Sequence, residues 1–463
     1  MSDIDLAIVG GNVWTPHGFV DKTDVLVAGE KIVELRPTSD SPMQAKEVVD
    51  ADGKLVIPGL IDTHSHHRDP GFTHKEDITS ATRAAAVGGV TMSIGMPNVD
   101  PPTTTPDLYQ ALIESQSERA VVDFNHNPAP TNIEAVAELA AMGALGFKVY
   151  MVVDAARSYP HMPGLGVHKH DDIVRIMEAV GATGRPLMVH PNDQALLGMI
   201  EHAHFEAGKL DPESYSKAEW MYDGAVWNSG VATLIELNRG VGGPPLHVLH
   251  MMSDRTVELI RRAKSDGQDV TAEVNAFGLF HSDWDEVAPQ GPLAIGRCLK
   301  PEWVEALWEG IEDRTIDVLG TDHAPHTLEE KATGWDNMWA TPTGTPQLQH
   351  YLMKLLDSSH RGLITLDDVV RIGAYNPANR FDLYPRKGTI EVGTDADLVV
   401  VDYEAEHTVT RDEVLSKCGY SGYEGQTLKG VPVLTTVRGR VVARDGAVAV
   451  EPGYGQFVGP VGA

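Results

Sequence analysis

Residues 58–71 read PGLIDTHSHHRDPG, a short apolar run that ends in two histidines, His64 and His66. Two positions apart on a strand, their imidazoles point to one face. Upstream the chain is β-rich and broken by Gly, Asp and Pro, as in DLAIVGG at 5–11 and DVLVAGEKIVEL at 24–35. Downstream the rhythm changes, and apolar strands alternate with helical stretches. The strands are LVIPGLIDTH at 55–64, VTMSIGMP at 90–97, AVVDFNHN at 120–127, ALGFKVYM at 144–151, RPLMVH at 185–190, LHVLH at 246–250, DVTAEVNA at 269–276 and TIDVLGTD at 315–322. The segments between them, such as DITSATRAAAVGG at 77–89 and DRTVELIRRAKSDG at 254–267, end in Gly as helix C-termini often do. Eight strand–helix units of this α/β kind are what a closed (β/α)8 TIM barrel requires.

From about residue 386 the pattern is β again, in GTIEVGTDADLVVVD at 388–402 and TLKGVPVLTTVRGRVVARDG at 427–446. The two ends are expected to pair. Residues 1–57 and 386–463 then form a small composite β-sandwich domain, and residues 58–385 the barrel. A length of 463 residues suits that pair of units.

The net charge of −29 makes the surface repel phosphate backbones, which argues against a nucleic-acid partner. No run of 18 or more apolar residues and no signal-peptide pattern occurs, so a soluble cytoplasmic protein without a membrane partner is expected. Two cysteines, Cys298 and Cys418, fit a reducing compartment.

In such a barrel the chemistry sits at the C-terminal ends of the strands. His64 and His66 close the first strand, Lys148 sits on the fourth, His190 ends the fifth, His250 the sixth and Asp322 the eighth. Imidazoles and a carboxylate suit zinc well, and other divalent metals less selectively. Asp322 can also move a proton. An ammonium would repel a metal, but burial lowers a lysine pKa. Lys148 as a neutral amine can add carbon dioxide and become a carbamate, whose two oxygens can bridge two metals. By contrast His67, His126, His161, His168, His170, His247 and His323 read as structural or surface groups.

With these residues placed, the sequence resembles the amidohydrolase superfamily, in the branch of dihydroorotases, hydantoinases (dihydropyrimidinases) and allantoinases. The motifs that carry the resemblance are PGLIDTHSHHRDPG, GFKVYM, the histidines of LMVH and LHVLH, GTDHAPH and DADLVVVD. It implies two zinc ions bridged by carboxylated Lys148. His64, His66 and Asp322 would complete one site, and His190 and His250 the other. It also implies a cyclic amide substrate opened by a hydroxide held between the metals, with Asp322 as proton shuttle, and a homodimer or homotetramer.

Three residues match dihydroorotases, in which their counterparts hold a substrate carboxylate. They are Arg68 after the histidine pair, Asn98 in GMPNVDPPTTT and His326 in TDHAPH. A guanidinium can give a carboxylate two parallel hydrogen bonds. Elsewhere the chain departs from that pattern: strand seven reads EVNAFGLFH, the stretch before strand eight reads GPLAIGRCLKPEW, and Trp220, Tyr222 and Trp227 are unlike it. The C-terminal segment, NPANRFDLYPRKGTIEVGTDADLVVVD, is closer to hydantoinases. The reading is a dihydroorotase-like cyclic amidase for a carboxylate-bearing ring. A hydantoinase or allantoinase is the alternative, and a metal-free scaffold relative a more remote one.

Overall fold

The computed structural model describes residues 4–39, 43–152, 164–294 and 296–462. Five short strands open the chain: β1 (Leu6–Thr15), β2 (Gly18–Ala28), β3 (Lys31–Pro37), β4 (Glu47–Asp50) and β5 (Leu55–Pro58). Eight strands follow: β6 (Leu60–Ser65), β7 (Val90–Gly95), β8 (Asp123–His126), β9 (Phe147–Tyr150), β10 (Leu187–His190), β11 (Leu246–Val248), β12 (Val270–Asn275) and β13 (Val318–Gly320). All neighbouring pairs from β6 to β8 and from β9 to β13 are parallel.

Two backbone contacts join these groups into a ring. His66 donates its N–H to His323 O at 2.7 Å beside a parallel bridge from Ser65 to His323, and Lys148 N–H reaches Pro128 O at 3.0 Å. The eight strands form the (β/α)8 barrel. Helices such as Ile78–Val87, His170–Gly181 and Asp254–Ser265 bury one apolar stripe each; the last turns Val257, Ile260 and Ala263 inward.

The chain ends meet in one sheet. β14 (Leu398–Thr408) runs antiparallel to β5, and β15 (Thr427–Val437), β16 (Arg440–Arg444) and β17 (Ala447–Val448) extend it. Its nine strands curl over a core of Leu6, Ile8, Val25, Val27, Val56, Leu398 and Val400, separate from the barrel's. The segment read from sequence as one strand, 55–64, is therefore two. β5 belongs to this sheet and β6 to the barrel, with Gly59 between them donating to Asp397 O at 2.9 Å. A Cβ on Gly59 would lie 2.1 Å from Thr91, so only glycine lets the chain cross there. Two parts of the C-terminal segment reach the barrel instead of the sheet. Tyr423 hydrogen-bonds Gln347, and the strip around Phe457 runs along β8.

A buried charge network joins the units. Lys387 Nζ lies 2.7 Å from Asp123 and 2.6 Å from Asp397, and Arg438 pairs with the same Asp123.

Candidate metal centre and substrate cavity

The strand ends bring the predicted ligands together. Asp322 Oδ1 lies 3.2 Å from His66 Nε2 and 3.4 Å from His64 Nε2, and Lys148 Nζ lies 3.4 Å from that same His64 Nε2. Ligand atoms of His64, His250 and Asp322 all fall within 4.8 Å of one another. The rings of His190 and His250 are 4.5 Å apart, centroid to centroid. His250 and Asp322 follow their strands with φ of 57° and 49°, and Arg68 has φ of 59°. Left-handed backbone is costly away from glycine, and its clustering marks a site where geometry outweighs local preference.

The acceptors behind the rings set their tautomers. His64 Nδ1 sits 2.7 Å from Glu273 Oε1, and Glu273 also accepts from Thr63 Oγ1 at 2.9 Å. His66 Nδ1 sits 2.7 Å from Asn98 Oδ1. Each partner accepts, so each Nδ1 carries a proton and each Nε2 is the ligand atom: that of His64 faces Asp322 and Lys148, and that of His66 faces Asp322. That is the form a metal needs.

Electrostatics agree. Burial pushes His66 down to about 4 and His250 to about 3, leaving neutral imidazoles at pH 7. Burial pushes Lys148 down to about 7, so a large fraction is free amine. Burial works to raise the Asp322 carboxyl, but the surrounding His64, His66 and His250 hold it well below the usual carboxylate range. His250 Nε2 is buried with no hydrogen-bond partner among the described residues. Four imidazoles, a carboxylate and a neutral lysine around one point suit divalent metals far better than they suit one another.

Next to these groups lies a cavity of about 110 Å³, lined by His64, His66, Arg68, Asn98, Tyr150, His190, Tyr215, Trp227, Asn275, Phe277, Arg297, Asp322, His326 and Thr343 among others. All nine site residues named from the sequence meet there or in contact with it. Arg68 is 4% exposed; its Nε donates to Pro325 O at 3.3 Å and its Nη2 to His326 Nε2 at 3.1 Å. Neither acid near it in sequence pairs with it: Asp69 is engaged by Arg119 at 2.6 Å and Asp77 by Lys417 at 2.5 Å, while the charges of Asp322 and Glu330 act on it without an ion pair. Asn98 spends its oxygen on His66, and His326 also faces Lys75 at 3.3 Å.

Of the histidines read as structural, His67 bonds Ser93 and His126 bonds Thr103, both at 2.8 Å. His168 and His170 are exposed, and His161 lies outside the described residues. His323 accepts from Gln347 N–H at 3.0 Å, away from the ligands. His247 is buried, 3.6 Å from Glu273. Of the atypical aromatics, Trp220 donates to Cys298 O at 2.7 Å, Tyr222 is 53% exposed, and Trp227 lines the cavity 5.3 Å from the His190 ring.

Sequence reasoning missed Glu273, Asn275 and Arg297. Asn275 Nδ2 lies 2.9 Å from His250 Nδ1 and 3.4 Å from Asp322 Oδ2. The signal for Glu273 was present: a charged residue inside an apolar strand is buried and must have partners.

The amidohydrolase family model matches residues 55–442. The chain belongs to the amidohydrolase family. This hydrolase is 32% identical to an L-hydantoinase of Paenarthrobacter aurescens, over 95% of this chain and 94% of that one. It is 32% identical to a dihydroorotase of Pediococcus pentosaceus, over 91% and 95%. It is 31% identical to an allantoinase of Rubrobacter xylanophilus, over 99% and 98%. Among solved structures, the L-hydantoinase (dihydropyrimidinase) from Arthrobacter aurescens superposes with a TM-score of 0.91 at 31% identity, covering 98% of this chain and 100% of that one. Among the described residues, no helix of this amidohydrolase is long and apolar enough to cross a membrane.

Proposed function

We propose that this amidohydrolase opens a carboxylate-bearing cyclic amide or imide, in the manner of a dihydroorotase. The observation that carries this is Arg68. Its guanidinium is buried at the cavity wall, and both neighbouring acids are bound elsewhere. Among the described residues no carboxylate forms an ion pair with it, and a buried cation so placed is costly unless a ligand supplies one. His326 fixes the guanidinium from one side and the Pro325 carbonyl from another, leaving the remaining N–H groups for a substrate carboxylate.

His64, His66, Lys148 and Asp322 would hold one zinc ion, and His190, His250 and carboxylated Lys148 a second. Such ions supply Lewis acidity and an activated water at neutral pH. The residues supply the rest. Asp322, whose carboxyl lies well below the usual range, accepts a proton from the attacking water. It then returns that proton to the leaving ring nitrogen. Arg68 holds the remote carboxylate and so orients the scissile carbonyl. Asn98 acts mainly through His66, whose ring it fixes.

A hydantoinase reading is favoured by the 0.91 TM-score and the 32% identity to L-hydantoinases and by the C-terminal segment. An Arg68→Ala variant separates the two. If the ring carries a carboxylate, KM for L-dihydroorotate rises at least tenfold while hydantoin turnover is unchanged. An unchanged KM for dihydroorotate rules out the carboxylate clamp.

A further inference from the structure

A chain of polar groups runs outward from the cavity behind Arg68. Arg68 Nη2 lies 3.1 Å from His326 Nε2. On the far side of that ring, Nδ1 lies 3.3 Å from Lys75 Nζ and 3.5 Å from Glu330 Oε2. Lys75 Nζ also meets Glu330 Oε1 at 2.6 Å. His326 and Lys75 are buried, and Glu330 is half-buried. Lys75, like Arg68, comes from the segment after β6, and Glu330, like His326, from the segment after β13. The pair therefore ties together the two loops that carry the guanidinium and the histidine.

A histidine between two cations can serve in one form only. Burial and the Arg68 charge hold His326 well below its ordinary range, so the ring is neutral. A guanidinium has donors and no acceptor, so Nε2 is the unprotonated nitrogen and the proton sits on Nδ1. An ammonium cannot accept from that N–H either. The acceptor that faces Nδ1 is Glu330 Oε2. This carboxylate is fixed twice, Oε1 by Lys75 and Oε2 by the Thr327 N–H at 3.0 Å, half of the capping box of helix Leu328–Ala332. We propose that Glu330, held by Lys75, is a positioning residue for the carboxylate clamp: it keeps the His326 proton on Nδ1, so that Nε2 accepts from Arg68 and fixes the aim of the guanidinium. The proposal rests on the clamp reading of Arg68 and adds to it two residues outside the cavity wall. The charge of Glu330 also reaches Arg68. As a counter-charge alone it would compete with a substrate carboxylate, and its removal would tighten binding. As a positioning group, its removal loosens binding, so the two roles differ in sign.

The test combines steady-state kinetics on L-dihydroorotate with nitrogen NMR of the His326 ring, both on the zinc-loaded protein. In Glu330→Ala, KM is expected to rise about tenfold, the worth of one hydrogen bond to a charged group, with kcat unchanged. The neutral pair Lys75→Met/Glu330→Gln keeps an oxygen before Nδ1 and should restore KM to within about threefold of the wild type. Thr327→Ala removes the other half of the cap but leaves that oxygen, and its KM should stay near the wild-type value. The ring signals, assigned by their loss in His326→Gln, should show the proton on Nδ1 in the wild type and in the neutral pair, and a mixture of tautomers in Glu330→Ala. An unchanged or lower KM in Glu330→Ala overturns the proposal, as does an equal rise in Thr327→Ala or no recovery in the neutral pair. Should Glu330→Ala not fold, the wild-type spectrum decides, since a proton on Nε2 is incompatible with the assignment. If KM rises in Arg68→Ala and not in Glu330→Ala, the clamp stands and only this proposal fails. If KM is unchanged in Arg68→Ala, the clamp reading fails and takes this proposal with it.

Discussion

Glu273 Oε1 and His64 Nδ1 stand 2.7 Å apart at the base of the metal centre, both almost fully buried. Burial opposes the charge of that carboxylate, yet His64 and His247 hold its pKa below the ordinary range. It is therefore an acceptor at every working pH, and it keeps the His64 proton on Nδ1. Gly320 makes room for it, since a Cβ there would lie 2.4 Å from the carboxylate. A glutamine in its place keeps the volume and loses the anion. Glu273→Gln should bind zinc roughly 10- to 100-fold more weakly by competition with a chelator, with an unchanged circular dichroism spectrum. Wild-type affinity in that variant would show that the carboxylate does not act on the metal.

Lys148 is fully buried with its amine 3.4 Å from His64 Nε2. As a carbamate it would contribute an anionic bridge that no other residue of the cavity replaces. Lys148→Ala should lose metal and ring-opening activity together, and a short carboxylic acid added at high concentration should restore part of both. Full metal occupancy without added acid counts against the bridge.

The joint between barrel and sheet makes a prediction independent of function. Lys387 serves Asp123 and Asp397 from a position 1% exposed. Removing one member of a buried ionic group costs about 3–5 kcal/mol, because its partners stay behind uncompensated. Lys387→Met should lower stability by about that amount in urea unfolding. A loss under about 1 kcal/mol would mean that water reaches the site.

Lys331 gives a pH dependence. It is fully buried, its Nζ donates to Pro342 O at 3.1 Å, and burial pushes its pKa down to about 7. The unfolded chain keeps a lysine near 10.4. Between these values the unfolded state binds more protons, so stability rises with pH. The penalty is full below about 7 and relieved as pH approaches 10. Lys331→Met should be more stable than the wild type at pH 7 and show a smaller rise toward pH 10. Parallel stability curves for the two proteins would contradict a buried neutral lysine.

Much of this was legible in the sequence because it is written in local periodicity. The eight strands announce themselves as apolar runs between helical stretches, and residues at strand ends in a barrel can point only to one place. That the two chain ends share a sheet was expected from their β-like composition; that β5 is the strand beside β14 was not, since 55–64 read as a single barrel strand. What stayed hidden depends on contacts between distant residues. Arg297 and Glu219 are 78 positions apart and Glu273 and His64 are 209 apart, so no spacing rule connects them. The left-handed backbone at His250 and Asp322 was equally hidden, because neither residue type signals it as glycine does. Asn98 was placed at the substrate from resemblance, and its distance of 2.7 Å to His66 ties it first to the ring.

The most direct measurement is ring opening by the zinc-loaded wild-type protein, prepared with bicarbonate, on L-dihydroorotate beside hydantoin, dihydrouracil and allantoin. The account predicts kcat/KM for dihydroorotate at least tenfold above each uncarboxylated ring. Equal or greater turnover of hydantoin, dihydrouracil or allantoin by metal-loaded protein would contradict a site built around Arg68 as a carboxylate clamp.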